Sequence, residues 1–231
     1  EQAWGEYIHS DTLTLRGGLI LTPGYWNVNH YPNITLTTRL PLLVRNVFRE
    51  AFVGVMGYGS KYWEDFGLTY YAYLGNGKSV FFTKEDDNEG KAVGGKVIFH
   101  VPTKGKFHTF DVGLSVYQES PSGEARDFTW GFDLQVREGP WEVLSEFAKR
   151  DAEEDRTGFY LQPSYRFNEK WAVFYRYDLL SIQHTGEMQE QSAGFNFRPI
   201  PDISLKLEYF YSRRSYDEDA SGVAASVAVR F

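Results

Sequence analysis

The 231-residue sequence contains no cysteine. This absence excludes disulfide scaffolds and metal sites that are built from thiolate ligands. The sequence also lacks any run of the roughly 20 apolar residues that a membrane-spanning helix requires. Positive charge is in deficit, because 24 Lys and Arg residues stand against 31 Asp and Glu residues, and a net charge of −7 argues against nucleic acid as a partner. The chain length is ordinary for a single all-β domain.

What the sequence does contain is an alternation of apolar and polar residues, which is clearest over residues 156–231. In Ile203–Tyr211, apolar or aromatic residues occupy every odd position. Ser204, Lys206 and Glu208 occupy even positions between them. A period of two predicts β-strands with one apolar face and one polar face.

Strands with two unlike faces occur in soluble β-sandwiches and in transmembrane β-barrels. In a sandwich the apolar face forms the core, whereas in a transmembrane barrel it contacts lipid and the polar face lines the lumen. Full charges in mid-strand and aromatic residues near strand ends favour the barrel. The terminal Phe231, in phase with the apolar face, resembles the closing-strand signal of bacterial outer-membrane proteins. We therefore predict an all-β fold, an antiparallel transmembrane β-barrel, with a soluble β-sandwich as the alternative.

The strand count raises a difficulty. Counting from Leu13 gives about 12 strands, and including the segment that begins at Ala3 gives about 13, an unusual odd number for a bacterial barrel. Longer polar loops, among them Gln183–Gln189, alternate with short turns, as they do in outer-membrane barrels. The sequence shows no initiating Met and no signal peptide. A secreted barrel needs a signal peptide, so we expect that it has been removed. We predict that residues 1–231 form a single barrel domain of about 12–14 strands. Either the segment that begins at Ala3 is not a membrane strand or N-terminal strands are missing, and we prefer the second explanation.

One segment, Thr22–Arg49, shows no alternation and is rich in Pro and Asn. A connection of this length inside a compact domain is usually functional or mobile. If it folds into a wide barrel, it narrows the lumen and brings its basic residues to the constriction. An external loop or a contact with another subunit is the alternative. The candidate constriction residues are His30, Arg39, Arg45 and Arg49.

The phase of the alternation assigns a set of charged side chains to the lumen. Charges of this kind select ions in a water-filled pore. The alternative is that they pair across neighbouring strands and hold the wall together. Because the acidic excess lies in loops, the predicted lumen is mixed and slightly basic. The predicted pore-lining residues are Arg16, Lys96, Arg137, Arg166, Arg176, Asp178, Arg198, Lys206 and Glu208.

No arrangement of residues in the sequence indicates catalysis or a cofactor. The five His residues lack the close spacing of metal ligands and accompany no evident Ser or Cys nucleophile. Acidic clusters such as Glu153–Asp155 could bind Ca²⁺ through carboxylate oxygens, but solvated loop charge is the simpler interpretation. We predict that the chain is not an enzyme and that it holds no cofactor or metal.

The first 60 residues or so carry a family resemblance. Glu-Gln-Ala-Trp-Gly-Glu-Tyr opens the chain, and Leu-Thr-Leu-Arg-Gly-Gly-Leu-Ile-Leu-Thr-Pro-Gly-Tyr-Trp-Asn-Val-Asn-His follows from Leu13. Arg39-Leu-Pro-Leu-Leu-Val-Arg45 and the Gly-rich strand Gly54–Gly59 come next. This block resembles the phosphate-selective porin-like family of bacterial outer-membrane β-barrels. The resemblance implies further strands before the block, up to about 16 in all. Members noted for phosphate selectivity line their pores densely with Arg and Lys, so phosphate selectivity is not carried over to this acidic chain.

These patterns together predict a porin of the bacterial outer membrane that forms a water-filled channel for passive diffusion of small polar solutes or ions. Its expected partners are the lipid bilayer, lipopolysaccharide, and further copies of the chain or another outer-membrane component, but not nucleic acid. A non-transporting barrel, acting as a structural or docking component of an outer-membrane complex, is the alternative. Another polypeptide would then complete or plug the barrel.

Overall fold

The structure is a computed structural model that describes residues 3–24, 35–48, 51–64, 66–76, 91–103, 107–119 and 127–230. Two of the predicted constriction residues, His30 and Arg49, lie outside the described residues, and so does Phe231.

Thirteen strands form one sheet within the described residues, and neighbouring strands run antiparallel. The predicted all-β antiparallel architecture is therefore confirmed. The strands follow one another in the sheet in the order of the sequence, so every connection joins neighbours. They are β1 (Ala3–Ser10), β2 (Leu13–Leu21), β3 (Ala51–Trp63), β4 (Phe66–Asn76), β5 (Lys91–His100), β6 (Thr109–Glu119), β7 (Asp127–Glu138), β8 (Trp141–Asp151), β9 (Arg156–Arg166), β10 (Trp171–Ile182), β11 (Gly186–Ile200), β12 (Ile203–Arg214) and β13 (Ala220–Val229).

A short helix, α1 (Leu42–Asn46), lies between β2 and β3. Pro41 precedes it with a φ of −54°, and a ring fixed near this value is well suited to the start of a helix. The side-chain amide of Asn46 donates a hydrogen bond to the carbonyl oxygen of Leu42 at 2.7 Å. Within the described ranges, no helix is long and apolar enough to cross a membrane.

The sheet has two unlike faces. We call residues Thr35–Phe48 the covering segment. The face of the sheet that this segment contacts is called the inner face, and the opposite face is called the outer face. Cross-strand pairs show which residues share a face, because directly paired residues point the same way. Arg176 pairs with Ser192, and Ser192 pairs with Phe210, so this row of three lies on the inner face.

The outer face is apolar and exposed. One of its rows runs from Tyr175 through Ala193 and Tyr209 to Val223. Tyr209 is 53% exposed and Val223 is 67% exposed. Soluble monomers rarely expose apolar patches this extensive. A face of this composition needs an apolar environment, which a lipid bilayer supplies.

Apolar side chains of the described residues are buried on the inner face in three clusters, the smallest of which joins Leu36 of the covering segment to Ala172 and Phe174 of β10. Burying a large apolar side chain fully contributes about 1.5–3 kcal/mol, so the two larger clusters contribute most to the stability of the fold. The helix cluster joins α1 and the residues after it to β8, β9 and β10, and its members are Leu42, Leu43, Val44, Val47, Phe48, Ala148, Tyr160 and Leu180. The aromatic cluster lies on β2–β6, and its members are Ile20, Phe52, Met56, Tyr73, Ala92 and Tyr117.

Backbone conformation explains two of the reversals. Gly139 and Pro140 join β7 to β8, and Gly139 has a φ of 53°, in the left-handed region that glycine adopts without steric cost. At the reversal from β10 to β11, His184 in the turn and Gly186 at the start of β11 also have positive φ values, of 64° and 129°. The prediction of a polar loop over Gln183–Gln189 was wrong for its second half. β11 already begins at Gly186, and its first polar residues pair with the end of β10.

Candidate functional site on the inner face

The charged residues that were predicted to line a pore all lie on the inner face. Register establishes this, since Asp178 pairs with Glu190 on β11 and Lys206 pairs with Asn196 on the same strand. Their role in lining a pore stays a prediction. The covering segment contacts one group directly, and that group is Arg176, Asp178, Lys206 and Glu208. The second group consists of Arg16, Lys96, Arg137, Arg166 and Arg198.

Carboxylates of the wall hold the backbone of the covering segment. Oδ1 of Asp178 accepts a hydrogen bond from the N–H of Leu42 at 2.9 Å. Oε2 of Glu208 accepts bonds from the N–H groups of Thr38 and Arg39, at 2.8 and 3.0 Å. Hydrogen bonds to a charged group contribute about 1.5–3 kcal/mol each. These wall positions therefore fix where the covering segment lies.

Arg176 joins the two carboxylates beneath the segment. Its Nε donates to Oδ2 of Asp178 at 2.7 Å, and its Nη2 lies 3.5 Å from Oε1 of Glu208. Its Nη1 donates to the carbonyl oxygen of Arg39 at 3.0 Å. The side chains of all three wall residues are fully buried. Charges can be buried in this way only when they compensate one another, so this group serves the packing of the covering segment.

Lys206 makes the corresponding contacts at the beginning of the covering segment. Its Nζ donates to Oγ1 of Thr35 at 3.0 Å and to the carbonyl oxygen of Thr37 at 3.1 Å. A lysine ammonium has three donors and no acceptor, so a hydroxyl and a carbonyl oxygen are suitable partners.

Arg39 and Arg45 are the two candidate constriction residues that the structure describes. Nη2 of Arg39 lies 2.7 Å from Oε2 of Glu190, and Nη2 of Arg45 lies 3.5 Å from Oε1 of the same carboxylate. The guanidinium of Arg39 also lies over the ring of Phe210, with Cζ 3.3 Å from the centroid. The Arg45 side chain is 37% exposed and that of Arg39 is 20% exposed. Arg45 therefore presents more of its charge to solution.

Three basic residues of the second group lie near the ends of strands that meet short turns. Arg137 on β7 pairs with Glu142 at 2.6 Å. Arg198 on β11 donates from Nε to Oδ1 of Asn196 at 3.3 Å. Arg166, at the end of β9, is exposed and forms no ion pair with the described residues. Three basic side chains thus lie at the short-turn end of the inner face, and Glu142 compensates the charge of Arg137.

The remaining two predicted residues, Arg16 and Lys96, lie on the first strands. The Lys96 ammonium is buried in an ion pair with Asp133. Arg16 is partly exposed and pairs with Glu6 at 2.7 Å. The sequence interpretation overlooked the aromatic residues beside Arg16 on the same face. The signal was present, because Tyr58 has the same phase as Met56, which pairs with Arg16.

The described residues contain no group of three or more side chains that could hold a metal ion. The predictions that the chain is not an enzyme and binds no cofactor stay predictions.

The comparisons with known proteins identify the fold. No protein-family model matches the sequence, and no curated protein matches it. The anion-selective porin from Comamonas acidovorans superposes with a TM-score of 0.70 at 12% identity, over 96% of this chain and 75% of that porin. OmpT, an outer-membrane protein of Vibrio cholerae, superposes with a TM-score of 0.65 at 10% identity, over 95% of this chain and 77% of OmpT. OccK3 of Pseudomonas aeruginosa superposes with a TM-score of 0.61 at 12% identity, over 95% of this chain and 68% of OccK3.

At these identities the likeness concerns the fold. The coarser part of the family resemblance, a porin-like barrel, agrees with these structures, while membership in the phosphate-selective family stays a prediction. The antiparallel sheet described above has the fold of the bacterial outer-membrane β-barrel porins.

Proposed function

We propose that the chain forms the wall of a water-filled channel in the bacterial outer membrane, through which small polar solutes or ions diffuse passively. The observation that carries the proposal is the opposition of the two faces along single strands. In β12, Leu205 and Leu207 lie on the outer face, whereas Lys206 and Glu208 lie on the inner face. An apolar exterior and a polar lumen are the requirements of a membrane channel made of strands. The porin fold supports the same proposal.

The environment of the outer face would be the lipid bilayer with its lipopolysaccharide. Trp141 is the first residue of β8 and Trp171 is the first residue of β10, so both lie at the short-turn end. They are 56% and 42% exposed. Aromatic side chains at strand ends suit the boundary between hydrocarbon and water. Further copies of the chain would be the simplest protein partners in the membrane.

The covering segment would narrow this channel. It contacts the inner face of β8–β12 and is held there by carboxylates on β10 and β12. Arg45 is the better exposed of its two described arginines, so we propose that Arg45 contributes both bulk and positive charge to the constriction.

A mild preference for anions would arise at the short-turn end. The positive charges of Arg176 and Lys206 are engaged beneath the covering segment, and Asp178 and Glu208 compensate Arg176. The exposed Arg166 and the half-buried Arg198 remain nearer to solution. The Comamonas acidovorans porin of similar fold is described as anion-selective, which agrees with this direction.

The second candidate function is a non-transporting barrel that serves as a structural or docking component. The observation that favours it is the filling of the inner face, where the side chains of Arg176, Asp178 and Glu208 have no exposed surface. Such packing strengthens a wall whether or not solutes pass beside it.

Conductance separates these two functions. The complete chain, refolded in detergent and added to a planar bilayer, should produce discrete current steps. Migration that changes on heating in gel electrophoresis would verify that the sample is a folded barrel. A folded sample that gives no current steps would refute the channel and leave the structural barrel.

The role of the constriction is tested by Arg45→Ala, which should raise the single-channel conductance because it removes a side chain and its charge from the narrowest region. Arg213→Ala is the matched control, since Arg213 pairs with Gln189 on the outer face and is exposed. Equal conductance in both variants would contradict the placement of Arg45 at the constriction.

A further inference from the structure

Four planar side chains form a continuous stack across β1–β4 on the inner face. Cζ of Arg16 lies 4.1 Å from the ring centroid of Trp4 and 5.0 Å from that of Tyr58. Tyr58 in turn stacks on Tyr71, with centroids 5.7 Å apart and ring planes inclined by 15°. A guanidinium between two aromatic rings is a stable arrangement, because each ring face attracts the cation. The stack therefore holds four planar groups in fixed orientations and leaves their edges and the faces at its two ends for other contacts.

One carboxylate compensates the charge of this stack. Oε2 of Glu6 accepts bonds from Nε and Nη2 of Arg16, at 3.0 and 2.7 Å. The hydroxyl of Tyr58 donates to the same oxygen at 2.5 Å and accepts from Nη2 of Arg16 at 3.0 Å. The stack is therefore neutral overall, so it offers little electrostatic attraction to a small anion or cation. It nevertheless keeps both hydrogen-bond donors and acceptors.

Part of this arrangement is accessible. Trp4 is 41% exposed, and the side chains of Arg16 and Glu6 are 20% and 22% exposed. An aromatic ring face, a donor and an acceptor thus reach the surface of the inner face together. Small-molecule sites commonly combine aromatic surface with a few such polar groups, which fix the orientation of the ligand.

We propose that the stack of Trp4, Arg16, Tyr58 and Tyr71, with Glu6, binds neutral polyhydroxylated rings, that is, sugars. A pyranose has a C–H face that packs on an aromatic ring and a rim of hydroxyls that both donate and accept hydrogen bonds. The neutral stack suits an uncharged solute, in contrast to the basic short-turn end. The proposal rests on the channel function only for the route by which the sugar reaches the inner face.

Maltose is the probe, and isothermal titration calorimetry on the complete refolded chain measures its binding. The detergent must carry no sugar head group, because such a head group would compete. Mannitol is the control ligand, since it has hydroxyls but no ring. Maltose should bind in a saturable manner and mannitol should not.

Variants locate the site. Trp4→Ala removes the exposed ring face and should weaken maltose binding by about tenfold, near the upper range of a single aromatic contact. Arg16→Gln should also weaken binding, since it removes the stacked cation and three of the five N–H donors of the guanidinium. Trp63→Ala is the matched control, because Trp63 lies on the outer face of β3 at 49% exposure and should not matter.

The outcomes are distinct. Absence of saturable maltose binding to the folded chain, or binding that neither Trp4→Ala nor Arg16→Gln changes, would overturn the sugar site. If Trp4→Ala does not refold, Arg16→Gln and Tyr71→Leu decide the question in the same assay. A chain that conducts ions but does not bind maltose contradicts the sugar site alone. A chain that binds maltose but gives no current steps contradicts the channel alone.

Discussion

The inner face of β2–β6 and the inner face of β8–β12 are built from the same alternating strands, yet different groups fill them. In the first region the rings of the strands themselves pack together, with Phe52 and Tyr73 centroids 4.7 Å apart and Tyr73 and Tyr117 centroids 6.5 Å apart. In the second region the strands carry charges, and a distant segment covers them. Leu42 and Asp178, which form one of its hydrogen bonds, are 136 positions apart in sequence.

The difference shows that alternation determines the face of a side chain and leaves its surroundings open. Arg176 and Arg16 are both arginines on the inner face, but one is fully buried and the other is partly exposed. Their energetic importance must differ accordingly. A buried charge without its partner is costly, whereas a partly exposed ion pair contributes little.

The largest effect should follow from removing a buried partner in the second region. Asp178→Ala leaves Arg176 without its nearest carboxylate and the N–H of Leu42 without its acceptor. We expect the free energy of unfolding to fall by about 3–5 kcal/mol. Urea unfolding of the chain in lipid vesicles measures it. Glu6→Ala, in the first region, is the control and should cost no more than about 1 kcal/mol. Equal losses would show that the two regions do not differ in this respect.

A smaller but comparable loss in the free energy of unfolding should come from a substitution on the outer face, which is apolar in both regions. Leu205→Arg places a charge at a position that is 37% exposed on the outer face. If this face meets lipid, the free energy of unfolding should fall by about 2–4 kcal/mol near the bilayer midplane. Leu205→Met keeps the position apolar and should change little in the same vesicle assay. If the arginine variant behaves like the methionine variant, the outer face does not contact hydrocarbon.

The assignment of faces was predictable from sequence because it needs only the period of two. Lys206 and Glu208 were assigned to one face and Leu205 to the other, and cross-strand pairing agrees. The number of strands followed from counting alternating stretches, and the sheet contains thirteen in the described residues. Turn residues such as Gly139 mark the reversals for the same local reason.

The surroundings of those residues could not be predicted, because they depend on contacts between distant parts of the chain. The covering segment has no alternation, and α1 spans only five residues, too few for a helical pattern to be recognised. As long as the path of the covering segment is unknown, Arg176 and Arg166 look equivalent in the sequence. The aromatic stack was overlooked for a different reason. The sequence analysis considered only aromatic residues near strand ends, as candidates for the membrane boundary, whereas Tyr58 and Tyr71 lie on the inner face.

A moderate effect on the selectivity for anions over cations should follow from removing accessible charge, in contrast to the buried charge of Arg176. The double variant Arg166→Gln and Arg198→Gln should shift the reversal potential in a salt gradient toward cations. The shift should be clear at low salt and small in 1 M salt, where charges are screened over about 3 Å. Arg176→Gln should instead lower stability and hardly change selectivity, because its charge is compensated beneath the covering segment. The reverse pattern would mean that Arg176 faces the water column.

The smallest effect should occur outside both regions, in the loop between β12 and β13. The hydroxyl of Tyr211 donates to Oδ2 of Asp219 at 2.5 Å, and the N–H of Arg214 donates to Oδ1 at 3.3 Å. Chiefly through the Tyr211 hydrogen bond, the pKa of the Asp219 carboxyl lies below its ordinary value. A depressed pKa means that the bond stabilises the fold above the unfolded-state pKa and that this contribution is lost as the pH falls through the folded-state pKa.

Tyr211→Phe removes the donor and should return the pKa of Asp219 toward its ordinary value, which NMR titration of the carboxyl carbon would report. Tyr209→Phe, on the same face of β12, is the control and should leave that pKa unchanged. Because Asp219 is an exposed loop residue, neither variant should alter conductance or stability at neutral pH beyond what is usual for a surface substitution, within about 0.5 kcal/mol. A change in conductance with Tyr211→Phe would show that this loop communicates with the inner face, and the separation between wall and loop would have to be abandoned.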